Sequence, residues 1–402
     1  MKDLINKKVD ELADDLIASV IRLVNIKSVE EKPSEDSPFG KGPRLALEEA
    51  LKLSEELGFT TKNMDNYAGY AQYGKGGDHS DYIGIFGHLD VVPEGDGWKY
   101  EPYGGQIDQG KMYGRGTADM KAGLMASIMA VKLLQDSGYK LPGDVKITSV
   151  CDEEGGGNGS MQAIMSGQTA DGVVVCEGTD YELILAHMGF VFFRVEFEGK
   201  PCHSGTKIDG VSAIDKAFKV IEALNEKEHQ WLLQYKHPLL PAPNLNVGVI
   251  HGGSAGSTVA GDCYFETCVH YIPNKMSHNQ VVDEFNEVIR RVSLSDPWLE
   301  EHPPKVTIYQ SGHGYEMDDR DELVLSFETA YEDSLRKVVD KVGSPSGCDS
   351  RLWRNIAKVP TIQYGPGALA QAHATDEYVV IDEYLDAILI YANLILEYTK
   401  NK

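Results

Sequence analysis

The order of helix-like and strand-like segments constrains this chain more than any single residue does. Up to about His187 the two kinds alternate. Apolar residues recur at helical spacing over residues 3–25 and again over Leu45–Leu57. The short apolar run Tyr82-Ile83-Gly84-Ile85-Phe86 has the character of a buried strand, and MKAGLMASIMAVKLLQD over 120–136 that of a helix. Val145–Val150 and Gly172–Cys176 are two further strand-like runs. Such alternation predicts a largely parallel α/β sheet with helices on its faces. Past His187 the rhythm changes. A β-branched and aromatic run at Gly189–Glu198 is followed by helical spacing over Ser212–Asn225. Strand-like runs follow near Asn244–Ile250 and Cys263–Tyr271, then a helix near Asn279–Val292 and a strand at Lys305–Tyr309. That segment makes an α+β unit, after which signals of the first kind return from Glu322 onward. The expected architecture is therefore an α/β domain built from 1–187 and 310–402, with an α+β domain, 188–309, inserted. A chain of 402 residues is long enough for two cores.

Charge narrows the partners. Sixty-two acidic against 38 basic residues give a formal charge of −24, which repels phosphate backbones and anionic membrane surfaces. Nucleic acid and membrane are thus not expected as partners. No run approaches the roughly 20 apolar residues of a membrane span. The first 26 residues carry charges throughout, unlike a secretory signal, so a cytoplasmic location is expected. The six cysteines are scattered, with no C-x-x-C pair, and are expected to be free thiols.

Five short segments carry the chemistry. Gly87-His88-Leu89-Asp90 ends a strand-like run, so His88 and Asp90 point the same way. At the carboxyl end of such a strand they face the crevice where open α/β sheets bind ligands. A carboxylate there can orient an imidazole whose other nitrogen binds a metal; a buried structural histidine is the alternative. Tyr113-Gly114-Arg115-Gly116-Thr117-Ala118-Asp119 is a glycine-rich loop that puts Asp119 at a helix start, where an N-cap is its alternative task. Cys151-Asp152-Glu153-Glu154-Gly155 sets three adjacent carboxylates directly after a strand. Either cations compensate their repulsion or the turn is solvated. Glu177 also follows an apolar strand, and His373 lies in Gln371-Ala372-His373-Ala374-Thr375 before the last helix. Two histidines with several carboxylates and no cysteine suit Zn²⁺, Co²⁺ or Mn²⁺.

Taken together, these motifs resemble the M20 family of metallopeptidases and amidohydrolases, over nearly the whole chain. The acetylornithine deacetylase and succinyl-diaminopimelate desuccinylase branch is the most similar in character. The resemblance implies a zinc-peptidase-like catalytic domain with two divalent ions, zinc before cobalt or manganese, and an inserted lid that forms a homodimer. It implies that His88 and Glu177 hold one ion, that His373 and Glu154 hold the other, and that Asp119 bridges them. Asp90 would orient His88. Glu153 would be the general base, taking a proton from water bound between two ions about 3.5–4 Å apart. In Gly199-Lys200-Pro201-Cys202-His203-Ser204-Gly205, His203 matches a lid histidine that reaches the partner subunit's site to stabilise the oxyanion. Arg351, in Gly347-Cys348-Asp349-Ser350-Arg351, matches a residue for the substrate carboxylate, with an Arg–Asp surface pair as the alternative. Asn246 matches a lid residue near the substrate.

The implied activity is cleavage of the amide bond of an N-acyl amino acid, by a deacetylase-like reaction, or of a small peptide, as a dipeptidase or carboxypeptidase. Two departures bear on specificity. In Cys268-Val269-His270-Tyr271-Ile272-Pro273, His270 stands where many relatives carry Arg, and His203-Ser204-Gly205-Thr206 lacks the usual small-residue-Pro continuation. A serine hydrolase is the rival reading. Gly252-Gly253-Ser254-Ala255-Gly256 fits G-x-S-x-G, with Asp349 and His373 following in order. A nucleophile elbow must lead from strand into helix, whereas the residues after Ser254 look extended. Gly155-Gly156-Gly157-Asn158-Gly159 lacks the third glycine of a dinucleotide fingerprint.

Overall fold

The computed structural model describes residues 2–74, 83–139, 141 and 144–400. Tyr82, expected to begin a strand, lies outside the described residues. The chain forms two compact units. The first comprises Met1–Leu185, Met317–Val342 and Cys348–Lys402, and the second Ala186–Glu316 and Gly343–Gly347.

The first unit is built on a mixed sheet. In spatial order its strands are Thr60–Met64, Ala68–Tyr73, Val145–Val150, Ile83–His88, Gly172–Val175, Thr361–Gln363 and Leu183–His187, along which the chain passes into the second unit. The middle four are parallel and the outer pairings antiparallel. Ile83–His88 is buried along its whole length, which explains a continuous apolar run rather than alternation. The helix Lys121–Asp136 is buried on nearly every side, from Ala122 through Val131 without a break. It lies so close to the sheet that a Cβ on Gly123 would sit 2.3 Å from the Cys176 carbonyl oxygen, so only glycine fits. Lys121 is sealed in as well. Its ammonium donates to the carbonyls of Leu23 (3.1 Å) and Ile26 (2.8 Å), closing the end of the first helix, Lys2–Val24. A small antiparallel sheet, Gln106–Asp108, Lys111–Tyr113 and Tyr378–Val380, completes what positions the site.

The second unit is a four-stranded antiparallel sheet in the order Asn244–Gly252, Asp262–Tyr271, Gly189–Glu198 and Lys305–Gly312. Along Gly189–Glu198 the alternation sorts the two faces. Val191, Phe193, Val195 and Phe197 are buried with Phe265, Phe285 and Trp231, while Phe192, Arg194 and Glu196 are only partly covered. Phe193 stacks on Phe285 at 3.8 Å, and each such side chain contributes about 1.5–3 kcal/mol by its burial. The helices Ala213–Gln234 and His278–Leu294 supply this cover. Both begin at a serine N-cap: Ser212 accepts from Asp215 N (3.1 Å) and Ser277 from Gln280 N (3.0 Å). Ser254 lies in the loop joining the antiparallel strands Asn244–Gly252 and Asp262–Tyr271. No helix follows it, so the elbow that a serine nucleophile requires is absent and the serine-hydrolase reading is set aside. All six cysteines are free. Among the described residues no helix is long and apolar enough to cross a membrane.

Candidate metal centre

The four parallel strands of the first unit all end on the same side, and site residues lie at or after those ends. Ile83–His88 ends on His88 itself. Val145–Val150 leads into Asp152-Glu153-Glu154, Gly172–Val175 into Glu177, and Thr361–Gln363 into the loop carrying His373. Asp119 comes from the turn before Lys121–Asp136. The N-cap of that helix is Met120 and carries no side-chain cap bond, so Asp119 does not perform the capping task open to it. Its carboxylate faces two imidazoles instead. His88 Nε2 lies 3.0 Å from one oxygen and His373 Nε2 3.4 Å from the other.

Among the described residues, His88, Asp119 and Glu154 each offer a donor atom, and these atoms lie within 4.8 Å of one another. His373 joins them, its Nε2 3.0 Å from Glu154 Oε1. His88 is fully buried, and its Nδ1 is 2.9 Å from the Asp90 carbonyl oxygen, which fixes Nε2 toward Asp119. Asp90 thus meets the ring first through its main chain. Its carboxylate Oδ1 lies 3.7 Å from Nδ1, while Oδ2 accepts from Glu154 N at 3.0 Å. Asp152 is taken up by the turn itself. Its carbonyl and carboxylate gather the amides of Gly156, Gly157 and Asn158, closing the turn that presents Glu153 and Glu154.

The electrostatics are those of crowded carboxylates. Burial, then the charge of Asp119, pushes the Glu177 carboxyl up to about 8. Burial and the charge of Asp349 push Glu153 well above the usual carboxylate range. Burial also opposes charge on Asp119, but hydrogen bonds from His373 and His88 outweigh it and hold that carboxyl below its ordinary value. His373 is raised to about 10 by its bonds to Asp119 and Glu154. The donor set fits divalent cations: nitrogen and oxygen ligands converge, and positive charge would relieve the repulsion.

Arg351 is largely buried in the same unit, donating to the Asp349 carboxylate (3.1 Å) and the Cys348 carbonyl (3.0 Å). Asp349 is fully buried and also accepts from Ser160 Oγ. His203 belongs to the second unit. It is exposed, and its Nδ1 accepts from Gly205 N (3.1 Å), so a neutral ring carries its proton on Nε2. His270, also there, lies half-buried 3.3 Å from Asn244 Oδ1, and burial pushes its imidazole below the ordinary value. Two residues around the metal centre carried no role in the sequence reading. Arg115 and Glu377 form a buried ion pair at 2.7 Å that touches both the Asp119 and the His373 segments. Their signals were Arg115 between two glycines and Glu377 four residues after His373.

Comparison with known proteins gives the family. Residues 84–397 match the model of Peptidase family M20/M25/M40. An N-formyl-4-amino-5-aminomethyl-2-methylpyrimidine deformylase of Bacillus subtilis is 29% identical, over 99% of this chain and 98% of that protein. An acetylornithine deacetylase of Vibrio atlanticus is 26% identical, over 87% of this chain and 90% of that protein. The fold matches the crystal structure of a dinuclear metal binding M20 peptidase from Bacillus subtilis. The TM-score is 0.69 at 13% identity, over 96% of this chain and 98% of the other. With a family match that runs from the strand bearing His88 to the last helix, the chain belongs to Peptidase family M20/M25/M40 and is a metal-dependent amidohydrolase or peptidase.

Proposed function

We propose that this protein is a cytoplasmic dinuclear-metal hydrolase that cleaves the amide bond of a small N-acylated amine or amino acid, or of a short peptide. The observation that carries this is the convergence of His88, Asp119, Glu154 and His373, with Glu153 on the same turn as Glu154. In this reading His88 and Glu177 would hold one ion and His373 and Glu154 the other, with Asp119 shared between the two half-sites. When bound, the two ions, zinc first and cobalt or manganese as alternatives, supply Lewis-acid polarisation of the scissile carbonyl and acidify the attacking water. Glu153 takes the water's proton and delivers it to the departing amine. Asp90 orients His88. Arg351 offers a guanidinium to a substrate carboxylate, in competition with Asp349.

The relatives named above are a deformylase and a deacetylase, and both names describe removal of a small acyl group. That supports a small acyl amide over a long peptide as the substrate. The test is a Glu153→Ala enzyme assayed with N-formyl, N-acetyl and N-succinyl amines and dipeptides, each with Zn²⁺, Co²⁺ and Mn²⁺. Turnover should fall by about 10²–10⁴-fold while two metal equivalents stay bound. A near-normal rate would remove Glu153 as the base, and loss of metal would make it a ligand.

A further inference from the structure

Glu377 is fully buried, just ahead of the strand Tyr378–Val380. Four donors converge on its carboxylate. Oε1 accepts from Ala118 N (2.8 Å) and Asp119 N (3.1 Å). Oε2 accepts from Gly116 N (3.1 Å) and Arg115 Nη1 (2.7 Å). One side chain thus holds the main chain of the turn that presents Asp119. The guanidinium does the reciprocal task. Arg115 Nη1 donates to the Ala374 carbonyl (3.1 Å) and Nη2 to that of His373 (3.4 Å). Asp376 secures the same loop from the other side, accepting from Lys99 N (2.8 Å) and Tyr100 N (3.2 Å). Gly116 permits the crossing. Its φ is +86°, and a Cβ there would lie 2.9 Å from Val91 Cγ1 and 3.0 Å from Lys121 Cδ.

A buried ion pair is a weak source of stability, because desolvation offsets much of the attraction. What a carboxylate with four donors and a forked guanidinium do supply is geometry. Here the geometry joins segments 262 residues apart in sequence. It does so where Asp119 and His373, the side chains those segments carry, meet at 3.4 Å. We infer that the Arg115–Glu377 pair is a positioning unit that holds Asp119 and His373 in one frame, so that the two ion-binding half-sites load together. This rests on the dinuclear reading above.

The test is a metal titration of the chelator-stripped full chain with Zn²⁺ or Co²⁺, against a competing indicator, beside the melting temperature in EDTA. Wild type should take two equivalents in one steep transition. Glu377→Gln keeps the shape but turns an NH₂ group toward two N–H donors. It should weaken binding by about 10–100-fold, as loss of an outer-shell partner does, and split the transition in two. Arg115→Lys keeps the charge but loses the fork, and should weaken mainly the half-site of His373. In both variants kcat should fall more than KM rises, and the EDTA melting temperature should change little. Folded variants with the wild-type titration overturn the proposal. So does a loss of affinity that merely tracks a lowered melting temperature in EDTA. If Glu377→Gln does not fold, Arg115→Lys decides; if neither folds, the pair is a stability element and the proposal fails. A wild type that binds fewer than two equivalents overturns the dinuclear reading itself, before any variant is made.

Discussion

Asp152, Glu153 and Glu154 are adjacent carboxylates with three separate environments. Asp152 is consumed by the turn, Glu154 meets His373, and Glu153 faces Asp349 and Glu177 through their charges. His203 shows the same dependence on local geometry. The Gly205 amide occupies its Nδ1, which leaves Nε2–H as an outward donor suited to an oxyanion. Replacing His203 by Ala should lower kcat by about 10²–10³-fold with metal content unchanged. Steady-state kinetics with metal analysis check this, and an unaltered kcat removes His203 from the reaction. At this scale, His88, Asp119 and Glu154 were visible in the sequence because each followed a strand or opened a helix, and His373 as a histidine in the loop before the last helix. Arg115 and Glu377 were not. A buried charge has a meaning only beside its partner, and theirs lies across nearly two-thirds of the chain.

Elements were legible in proportion to their length and periodicity. The helix expected over Ser212–Asn225 runs on to Gln234, because polar residues on its outer face blurred the end of the pattern without breaking it. Thr361–Gln363 has only three residues, too few to show any period, yet it is a full member of the parallel sheet. The short helix Pro297–Glu301 is set by its cap rather than by its pattern. Asp296 accepts from Trp298 N and Leu299 N and pairs with Lys216 and Lys219 of the helix Ala213–Gln234. Burial raises its carboxyl, but the two lysines outweigh that and hold it below the usual range. The folded state therefore releases this proton more readily than the unfolded chain. Its stabilisation is complete above the unfolded value of about 3.9 and is lost as pH falls through the lower folded value. Asp296→Asn keeps a capping oxygen but loses the charge that pairs with both lysines, so it should cost about 1–3 kcal/mol near neutrality and flatten the acid limb of stability below about pH 4. Urea melts between pH 7 and 3 measure both, and an unchanged acid limb refutes the assignment.

At the scale of the molecule, the inserted unit carries His203 while the first unit carries the metal centre. If the lid histidine serves a partner copy, as the family resemblance implies, inactive chains should complement one another. In a heterodimer of Glu153→Ala and His203→Ala chains, one of the two centres regains both groups. Random mixing makes half the dimers mixed, so about a quarter of wild-type activity should return. Activity of the mixture, measured after co-refolding, checks this; no recovery places His203 in its own subunit or outside the chemistry.

The position of Thr361–Gln363, between Gly172–Val175 and Leu183–His187, has a consequence for biosynthesis. Until residue 363 has left the ribosome, the nascent sheet holds an empty slot with a row of unpaired amides and carbonyls along Gly172–Val175. Such an edge invites pairing with other chains. His373 emerges later still, so on the proposed reading its half-site can form only in an almost finished polypeptide. Premature termination anywhere in the inserted unit therefore leaves a half-sheet with an open edge along Gly172–Val175.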